Sequence, residues 1–350
     1  MMKLFGLQII LVSIFSLVIG DFTKSHAAAA PKDLDICSFN IQFLGSFRLR
    51  NTDALAGIVS EADCDVVVVQ ELVAPPDLRV IPGSEYFGKD ILPLYPSGEP
   101  HKASSASTEF FISMYEAGYD KFHLSEQDTG TGRDINHNGA STEWYVTFFK
   151  SSKVKKAPDL ATGFISSKGK NLAGHGIYER VPYALGLRTL DDKYDFVLVS
   201  VHLRPGSGPF NRRRRKVELN GIRRWMERRM KRTSEQNYII LGDMNINKGK
   251  YLERTTPKGF VSLNYNNLPT NTNIHSDKPY DHVMIVPENN PEIPVEDNFM
   301  VYDLVKMAEK YWSFNIPYPG DPYNHLGFRQ VFSDHQPIKF KIYPGKKDLD

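Results

Sequence analysis

The sequence lacks most of the features that would restrict its class at once. Among its 350 residues there are only two cysteines, no internal repeat and no long low-complexity tract, and the formal net charge is +2. So small a total charge points to no particular class of partner. After residue 20, no segment is apolar enough to cross a membrane. The chain is 41% hydrophobic, which is enough for the core of one large domain, and no linker divides it.

The two cysteines, Cys37 and Cys64, raise the question of a disulfide. Cys37 lies three residues before Asn40, and Cys64 lies seven residues before Glu71. If Asn40 and Glu71 end neighbouring parallel strands, the cysteines are offset by ~13 Å, at ~3.3 Å per residue. Because a disulfide needs Cα atoms within ~7 Å, we predict two free, buried thiols.

The N-terminus has the pattern of a secretory signal. Lys3 precedes an apolar run over residues 4–20, and four alanines at 27–30 come just before Pro31. We expect cleavage there, which leaves residues 31–350 as a secreted or periplasmic domain without stable membrane association. The alternative is a membrane anchor, because an apolar run of about 17 residues is at the lower limit for spanning a bilayer.

Apolar patterns predict strands that alternate with helices. Continuous apolar runs, typical of strands buried on both faces, occupy residues 34–39, 65–70, 144–149, 183–190, 196–202, 238–241, 282–286 and 337–342. Helical spacing occupies residues 53–62, 107–117, 212–232 and 298–312. The alternation predicts an α/β fold, a four-layer α/β sandwich of two packed mixed β-sheets flanked by helices. Residues 74–140 are irregular and rich in proline, and we interpret them as an insertion.

Most of the predicted strands have an acid, an amide or an imidazole at one end. These residues are Asn40, Glu71, His202, Asp243, Asn245, Asp281, Asp334 and His335. Carboxylates at the open end of a sheet suit Mg²⁺, which prefers oxygen ligands, and histidine suits proton transfer near neutral pH. Each residue alone could be an ordinary capping or hydrogen-bonded side chain. Together they indicate one site for metal-assisted attack on a phosphate ester.

The motifs around these residues resemble those of the endonuclease/exonuclease/phosphatase superfamily. The motifs are Ser-Phe-Asn-Ile at 38–41, Val-Gln-Glu at 69–71, Ser-Val-His-Leu at 200–203, Gly-Asp-Met-Asn at 242–245, Tyr-Asp at 280–281 and Ser-Asp-His-Gln-Pro at 333–337. They occur in the superfamily's order over residues 34–342. Within it, the sequence is most similar to the pancreatic-type deoxyribonuclease branch. Glu143 resembles the glutamate that pairs with that branch's first catalytic histidine, and Arg180 resembles the arginine that binds the scissile phosphate.

The resemblance implies a divalent-metal-dependent phosphodiesterase. Asn40 and Glu71 would hold Mg²⁺, with Mn²⁺ as the alternative, and Asp243 and Asp334 would be further metal ligands or line the second half of the site. Asn245 would contact the phosphate.

The same resemblance implies that two histidines exchange protons with the attacking water and the leaving oxygen. Glu143 would orient His202, Asp281 would orient His335, and Asp243 and Asn245 would complete the catalytic set. We favour His335 as the base. Charge neutralisation by metal, arginine and imidazolium would be the main source of catalysis.

Two departures weaken the resemblance in DNA binding. Where the deoxyribonuclease branch has an arginine and a tyrosine that probe the minor groove, this sequence has Val73 and Ser141. The resemblance therefore implies the catalytic residues for this sequence but not the contacts to duplex DNA. The insertion at 74–140 could replace those contacts.

A basic segment follows His202. Residues 203–232 contain twelve Lys or Arg and two Glu. Such a patch suits a polyanion, and we predict that Arg204 and Arg212 bind phosphate groups. We expect the partner to be nucleic acid, DNA rather than RNA, and the protein to be a monomer. The alternative is a solvated amphipathic helix.

A calcium-loop-like motif adds a further possibility. Asp134, Asn136 and Asn138 alternate before Gly139, but the twelfth position is Tyr145 instead of the glutamate that an EF-hand requires. A structural Ca²⁺ and a polar turn both fit this pattern.

Two other functions remain open on the same fold. One is a phospholipid or inositol-phosphate phosphoesterase similar to sphingomyelinases, and the other is a non-catalytic binding module. Every core position of the motif set is filled, which argues against the second.

Overall fold

A computed structural model describes residues 33–91, 94–95, 100–129, 143–165, 177–312 and 324–344. The predicted signal at 1–30, Ser141 and the calcium-loop-like motif at 134–139 lie outside these residues.

The described residues form strands in two sheets. In chain order the strands are β1 (Leu34–Leu44), β2 (Val66–Leu72), β3 (Lys121–Leu124), β4 (Trp144–Phe149), β5 (Val154–Lys156), β6 (Gly163–Phe164), β7 (Tyr183–Thr189), β8 (Asp195–His202), β9 (Tyr238–Asp243), β10 (Val261–Ser262), β11 (Asp281–Ile285), β12 (Met300–Val301) and β13 (Ile338–Ile342). One sheet has the order β12-β13-β1-β2-β4-β3, and the other has the order β10-β11-β9-β8-β7-β5, with β6 paired to β7. Each sheet contains one parallel pair at its centre, β1 with β2 and β8 with β9.

Helices cover the outer faces of the two sheets. They are α1 (Thr52–Glu61), α2 (Ser104–Glu116), α3 (Pro209–Met230), α4 (Leu252–Thr255), α5 (Leu304–Ala308) and α6 (His325–Val331). Single 3₁₀ turns occur at Gly249–Tyr251, Pro287–Asn289 and Glu309–Tyr311. Local chemistry explains two helix starts. The Asn51 side chain accepts a hydrogen bond from Ala54 N to cap α1, and Pro209 occupies the first turn of α3, where its missing N–H costs nothing.

Alternation of side chains along the strands builds three layers of core. On β2, Val66 and Val68 face the second sheet and pack with residues such as Leu198 and Leu241. Val67 and Val69 face the opposite way, into the core beneath α1 and α2. A third core lies between the second sheet and α3. The order helix, sheet, sheet, helix confirms the predicted four-layer α/β sandwich.

One predicted helix is wrong over most of its length. Residues 298–312 have helical spacing, yet only Leu304–Ala308 are α-helical, with a 3₁₀ turn after them. Met300 and Val301 pair instead with β13 as an edge strand. The Asn298 side chain also hydrogen-bonds the backbone of Lys341 at both its amide oxygen and its nitrogen. Pairing with the sheet edge therefore overrides the local helical pattern.

The prediction of free thiols is also wrong, because Cys37 and Cys64 form a disulfide with a Cα–Cα distance of 5.9 Å. Cys37 lies level with Val67 of β2, three residues beyond Cys64 instead of four. Cys64 itself precedes the strand, in the turn after α1 where Asp63 has φ +47°. A separation along a straight strand therefore overestimates the distance between the two residues.

Among the described residues, no helix has both the length and the apolar character that crossing a bilayer requires. The longest, α3, spans 22 residues and is dominated by arginine.

Candidate active site

The carboxyl ends of the two parallel strand pairs meet at one edge of the sandwich. In the first sheet, Asn40 on β1 is level with Gln70 on β2, directly before Glu71. In the second sheet, His202 on β8 is level with Asp243 on β9. A hydrogen bond of 3.2 Å from Asn40 Nδ2 to Asp243 Oδ2 joins the two sheets at this edge. The strand-end residues predicted from sequence therefore do converge.

Backbone irregularities turn these side chains into the site. The pairing of β2 shifts register between Val69 and Leu72, and Glu71 within that bulge has φ +67°. Asn245 has φ +52°. Left-handed backbone is costly for residues with a Cβ and is concentrated at functional sites. At Gly242, with φ +130°, a Cβ atom would lie 2.3 Å from Val201 O, so only glycine fits.

Asp243 Oδ2 is the point on which the site converges. His202 Nε2 lies 3.3 Å from it, His335 Nε2 lies 3.5 Å from it, and Asn245 Nδ2 donates to it at 3.1 Å. Asp243 Oδ1 accepts the backbone N–H of Asn245 at 2.8 Å. Two imidazoles thus flank one buried carboxylate.

Each imidazole is held from behind by a second carboxylate. His202 Nδ1 lies 2.9 Å from Glu143 Oε2, and His335 Nδ1 lies 2.8 Å from Asp281 Oδ2. These are the two pairs predicted from sequence. A carboxylate on Nδ1 fixes the ring orientation and leaves Nε2 to face the site.

Arg180 reaches the site from the loop before β7. Its Nε lies 2.8 Å from Glu143 Oε2, but neither Nε nor Nη1 makes a well-aligned hydrogen bond, although both atoms are buried. Nε is thus ion-paired with Glu143, whereas no described residue accepts a hydrogen bond from Nη1. A buried N–H without an acceptor is uncommon, and an anionic oxygen would satisfy it.

Burial and charge set the protonation of the site. Burial raises the pKa of Glu71, and His202 only partly offsets this effect. Burial also raises the pKa of Asp243 in spite of both histidines. At His335, burial alone would lower the pKa, but Asp281 and Asp243 outweigh it and hold the pKa well above its ordinary value. The pKa of His202 is also raised, because Glu143 and Asp243 outweigh burial and Arg180.

The donor set suits a hard divalent cation. Glu71, His202 and Asp243 form one group of ligand atoms within 4.8 Å of one another, and Asp243, Asp281 and His335 form another. Two buried carboxylates with raised pKa values favour either a proton or a cation beside them, and carboxylate oxygens suit Mg²⁺. Asn40 Nδ2 donates to Glu71 Oε1 at 2.8 Å, while its Oδ1 accepts from Gln42 N. Asn40 can therefore offer an oxygen ligand beside Glu71 only after its side-chain amide flips, so that Oδ1 and Nδ2 exchange positions.

Three other predicted residues lie at the rim. Asp334 is part-exposed and lies 3.2 Å from Arg329 Nη2. Arg204 Nη1 lies 2.6 Å from Glu179 Oε2. Arg212 donates to the backbone oxygen of Ser207. The metal role of Asp334 and the phosphate roles of Arg204 and Arg212 stay predictions.

Sequence reasoning missed two residues that support the site. Ser333 Oγ donates to Asn40 O at 2.7 Å and accepts from His335 N at 3.1 Å, so it ties the two motifs together. Burial lowers the pKa of Arg50 to about 10, against the raising effect of nearby Asp334 and Glu71. Its Nε and Nη1 are buried without a hydrogen bond. Ser333 lay inside a recognised motif, whereas Arg50 lies in a loop and carried no signal.

Comparison with known proteins adds to this geometry at the level of the fold. No family model and no curated protein matches the sequence. Among solved structures, a D. rerio TDP2 humanized by 14 mutations has a TM-score of 0.50 at 13% identity, covering 89% of this chain and 99% of that one. The described chain therefore has a fold similar to that of this TDP2 structure.

Two further similarities are weaker. The human Nocturnin catalytic domain has a TM-score of 0.48 at 12% identity, covering 89% of this chain and 94% of that one. An endonuclease/exonuclease/phosphatase family protein from Bacteroides thetaiotaomicron has the same TM-score and identity, covering 89% of this chain and 98% of that one.

Proposed function

We propose that the protein is a divalent-metal-dependent phosphodiesterase that hydrolyses nucleic acid, with DNA preferred. The observation that carries this proposal is the convergence of two carboxylate-held histidines on Asp243, beside the buried guanidinium of Arg180, whose Nη1 has no hydrogen-bond partner among the described residues. This arrangement provides two proton-transfer groups and a buried positive charge around one small volume. A phosphate diester needs all three when water replaces one of its ester oxygens.

Asn40, Glu71 and Asp243 would hold the metal, with Asp334 as a further ligand at the rim. When bound, Mg²⁺ or Mn²⁺ would supply positive charge that neutralises the phosphate oxygens. Arg180 would donate Nη1–H to the same phosphate, and Asn245, which follows β9 in the same sheet, would contact it as well.

His335 would accept a proton from the attacking water at Nε2, while Asp281 stabilises the resulting imidazolium through Nδ1. His202, in its protonated form, would give a proton from Nε2 to the leaving oxygen. Glu143 and Asp243 favour that protonated form, because they outweigh burial and raise the pKa of His202. The two histidines thus have opposite tasks, and each is supported by its own carboxylate.

The surface beside the site supports a nucleic-acid substrate. Guanidinium–aromatic pairs lie where α3 begins, with Arg204 over Phe210 at 5.9 Å and Arg212 over Tyr251 at 4.4 Å. Phe210 is 64% exposed. Exposed rings and arginines can stack on bases while neighbouring cations attract the backbone.

We also propose that the protein is exported after removal of residues 1–30 and acts as a monomer. Besides the sequence pattern at the N-terminus, the Cys37–Cys64 disulfide supports export, because structural disulfides persist in oxidising compartments. The N-terminal sequence of protein recovered from the culture medium or periplasm tests this proposal. A mature chain that retains residues 1–30 would contradict it.

Incubation of purified protein with plasmid DNA, single-stranded DNA and RNA tests the proposed activity. We expect cleavage with Mg²⁺ or Mn²⁺, loss of cleavage with EDTA, and a decrease of about 10² to 10⁴-fold for His202→Ala and for His335→Ala. His101→Ala, an exposed histidine, serves as the matched control. Intact nucleic acid at micromolar protein would contradict the proposal, and release of phosphocholine or inorganic phosphate from lipid or inositol phosphates would favour the alternative substrates.

A further inference from the structure

Helix α3 buries two charged side chains that belong to none of the motifs of the site. Arg215 is 1% exposed and Glu218 is fully buried. They lie on the same stripe of the helix as the core residues Leu219 and Ile222. A buried charge is costly unless it is paired or hydrogen-bonded, so these two residues require specific partners.

Both oxygens of Glu218 accept backbone hydrogen bonds from different loops. Oε1 accepts from Glu179 N at 2.6 Å, and Oε2 accepts from Arg204 N at 3.0 Å. A salt bridge of 2.6 Å between Arg204 Nη1 and Glu179 Oε2 joins the same two segments. One carboxylate therefore connects the loop before β7 to the loop after β8.

Arg215 supports this junction from one helical turn away. Its Nη1 donates to Arg204 O and to Gly206 O, each at 2.8 Å. The loop after β8 is thus held at the N–H of Arg204 by Glu218 and at two carbonyls by Arg215.

The two loops carry the groups that would act on the phosphate. Glu179 directly precedes Arg180, and Arg204 follows His202 by two residues. Arg180 and His202 both contact the carboxylate of Glu143. A shift of either loop would change the distance between the guanidinium and the imidazole.

We propose that Glu218 is a positioning residue, which acts as a carboxylate clamp that holds Arg180 and His202 in their reactive arrangement. This inference rests on the proposed phosphodiesterase activity. The clamp needs two acceptor oxygens. An ionised carboxylate provides both, whereas the protonated acid turns one of them into a donor that faces an N–H group.

The clamp should therefore respond to pH. Burial raises the pKa of Glu218 to about 7, although the N–H groups of Glu179 and Arg204 act to lower it. The other charged or titratable groups around it are Arg214, Arg215, Glu179, Arg204, Tyr145 and Tyr178. As the pH rises through about 7, the ionised form and the full clamp become dominant.

Glu218→Gln tests the clamp, because the amide keeps the shape but offers only one acceptor oxygen. We expect kcat on DNA to fall by about tenfold or more at pH 8, given the sensitivity of catalysis to misplaced groups. The ratio of wild-type to variant kcat should decrease towards pH 6, where the wild-type clamp is itself protonated. Glu227→Gln, on the same helix, should give a ratio near one at every pH.

Hydrogen exchange provides a readout that does not depend on activity. In wild-type protein the amides of Glu179 and Arg204 should be protected at pH 8, and Glu218→Gln should lose protection at one or both. After correction for intrinsic rates, wild-type protection should also decrease towards pH 6. Unchanged protection in the variant would overturn the clamp even if wild-type protein proves inactive. A pH-independent kcat ratio in an active enzyme would overturn its positioning role.

Discussion

His335 Nδ1 lies 2.8 Å from Asp281 Oδ2, and neither side chain is more than slightly exposed. Residues 281 and 335 come from opposite sheets of the fold, since Asp281 begins β11 and His335 precedes β13. Burial favours the neutral imidazole, yet the carboxylates of Asp281 and Asp243 prevail and hold the pKa of His335 well above its ordinary value. We therefore expect this pair to make both the proposed catalysis and the stability of the fold depend on pH.

Asp281→Asn should lower the pKa of His335 and reduce kcat by about 10² to 10⁴-fold. A base is active in its neutral form, so the wild-type rate should rise as the pH passes through the raised pKa of His335. The variant should complete that rise at lower pH. A pH profile of kcat/KM on DNA measures the displacement, and an unchanged profile would show that His335 is not the base.

The same pair should stabilise the fold in a defined pH range. Because the pKa of His335 is raised on folding, the pair contributes fully to the free energy of unfolding below the ordinary pKa of histidine. This contribution is lost as the pH rises through the pKa of His335 in the folded protein. With metal chelated, the difference in unfolding free energy between wild type and Asp281→Asn should narrow from pH 6 towards high pH. A difference that widens would contradict this assignment.

Arg180 should contribute mainly to the transition state. Arg180→Met removes the buried donors Nε and Nη1, and we expect kcat/KM to fall by about 10² to 10³-fold. Arg180→Lys keeps the charge but loses the planar fork, so it should recover only part of that loss. Arg254→Met, an exposed arginine on α4, is the matched control. Equal rates for Arg180→Met and wild type would remove Arg180 from the site.

Gly242→Ala should be among the most destabilising small substitutions in the chain. The added Cβ would lie 2.3 Å from Val201 O on a backbone with φ +130°, so β8 and β9 would have to separate. We expect a loss of about 3 kcal/mol in the free energy of unfolding. At Gly208, where an added Cβ would meet nothing within 4 Å, alanine should cost less than about 1 kcal/mol. Urea unfolding of both variants makes the comparison, and similar losses would contradict it.

The disulfide should stabilise the first sheet. It closes a loop with a sequence separation of 27, for which chain entropy predicts about 3 to 4 kcal/mol. Unfolding with and without a thiol reductant measures this difference. The double variant Cys37→Ala/Cys64→Ala should unfold like the reduced wild type and should not respond to reductant. A wild-type stability that is insensitive to reductant would show that the thiols are free.

The longer strands were predictable from sequence because they are buried on both faces, whereas the short strands β3, β5, β6, β10 and β12 were not predicted. A continuous apolar run such as 144–149 coincides with its strand, Trp144–Phe149. The predicted helix over residues 298–312 was wrong because residues 300–301 pair with β13, which is distant from them in sequence. The disulfide was not predicted because the turn before β2 departs from strand geometry.

Those members of the candidate site whose residue type marks the end of a strand could be predicted from sequence. Asn40, Glu71, His202 and Asp243 are polar residues that close apolar strands, which is a local signal. Arg50 and Glu218 carry no such signal, because their importance comes from burial against loops distant in sequence. Glu218 stood within a segment whose other charges suggested only a solvated or nucleic-acid-binding surface, although it falls on the stripe of Leu219 and Ile222.

Strand β13, the last strand of the described residues, lies beside the first strand, β1, in the same sheet. His335 stands three residues before β13, and Asn40 lies on β1. The two motifs therefore come together only when strands distant in sequence have paired. We expect loss of the β1–β13 pairing to expose β1 and displace the His335 imidazole in one step, so that the integrity of the sheet and the proposed proton transfer depend on the same contact.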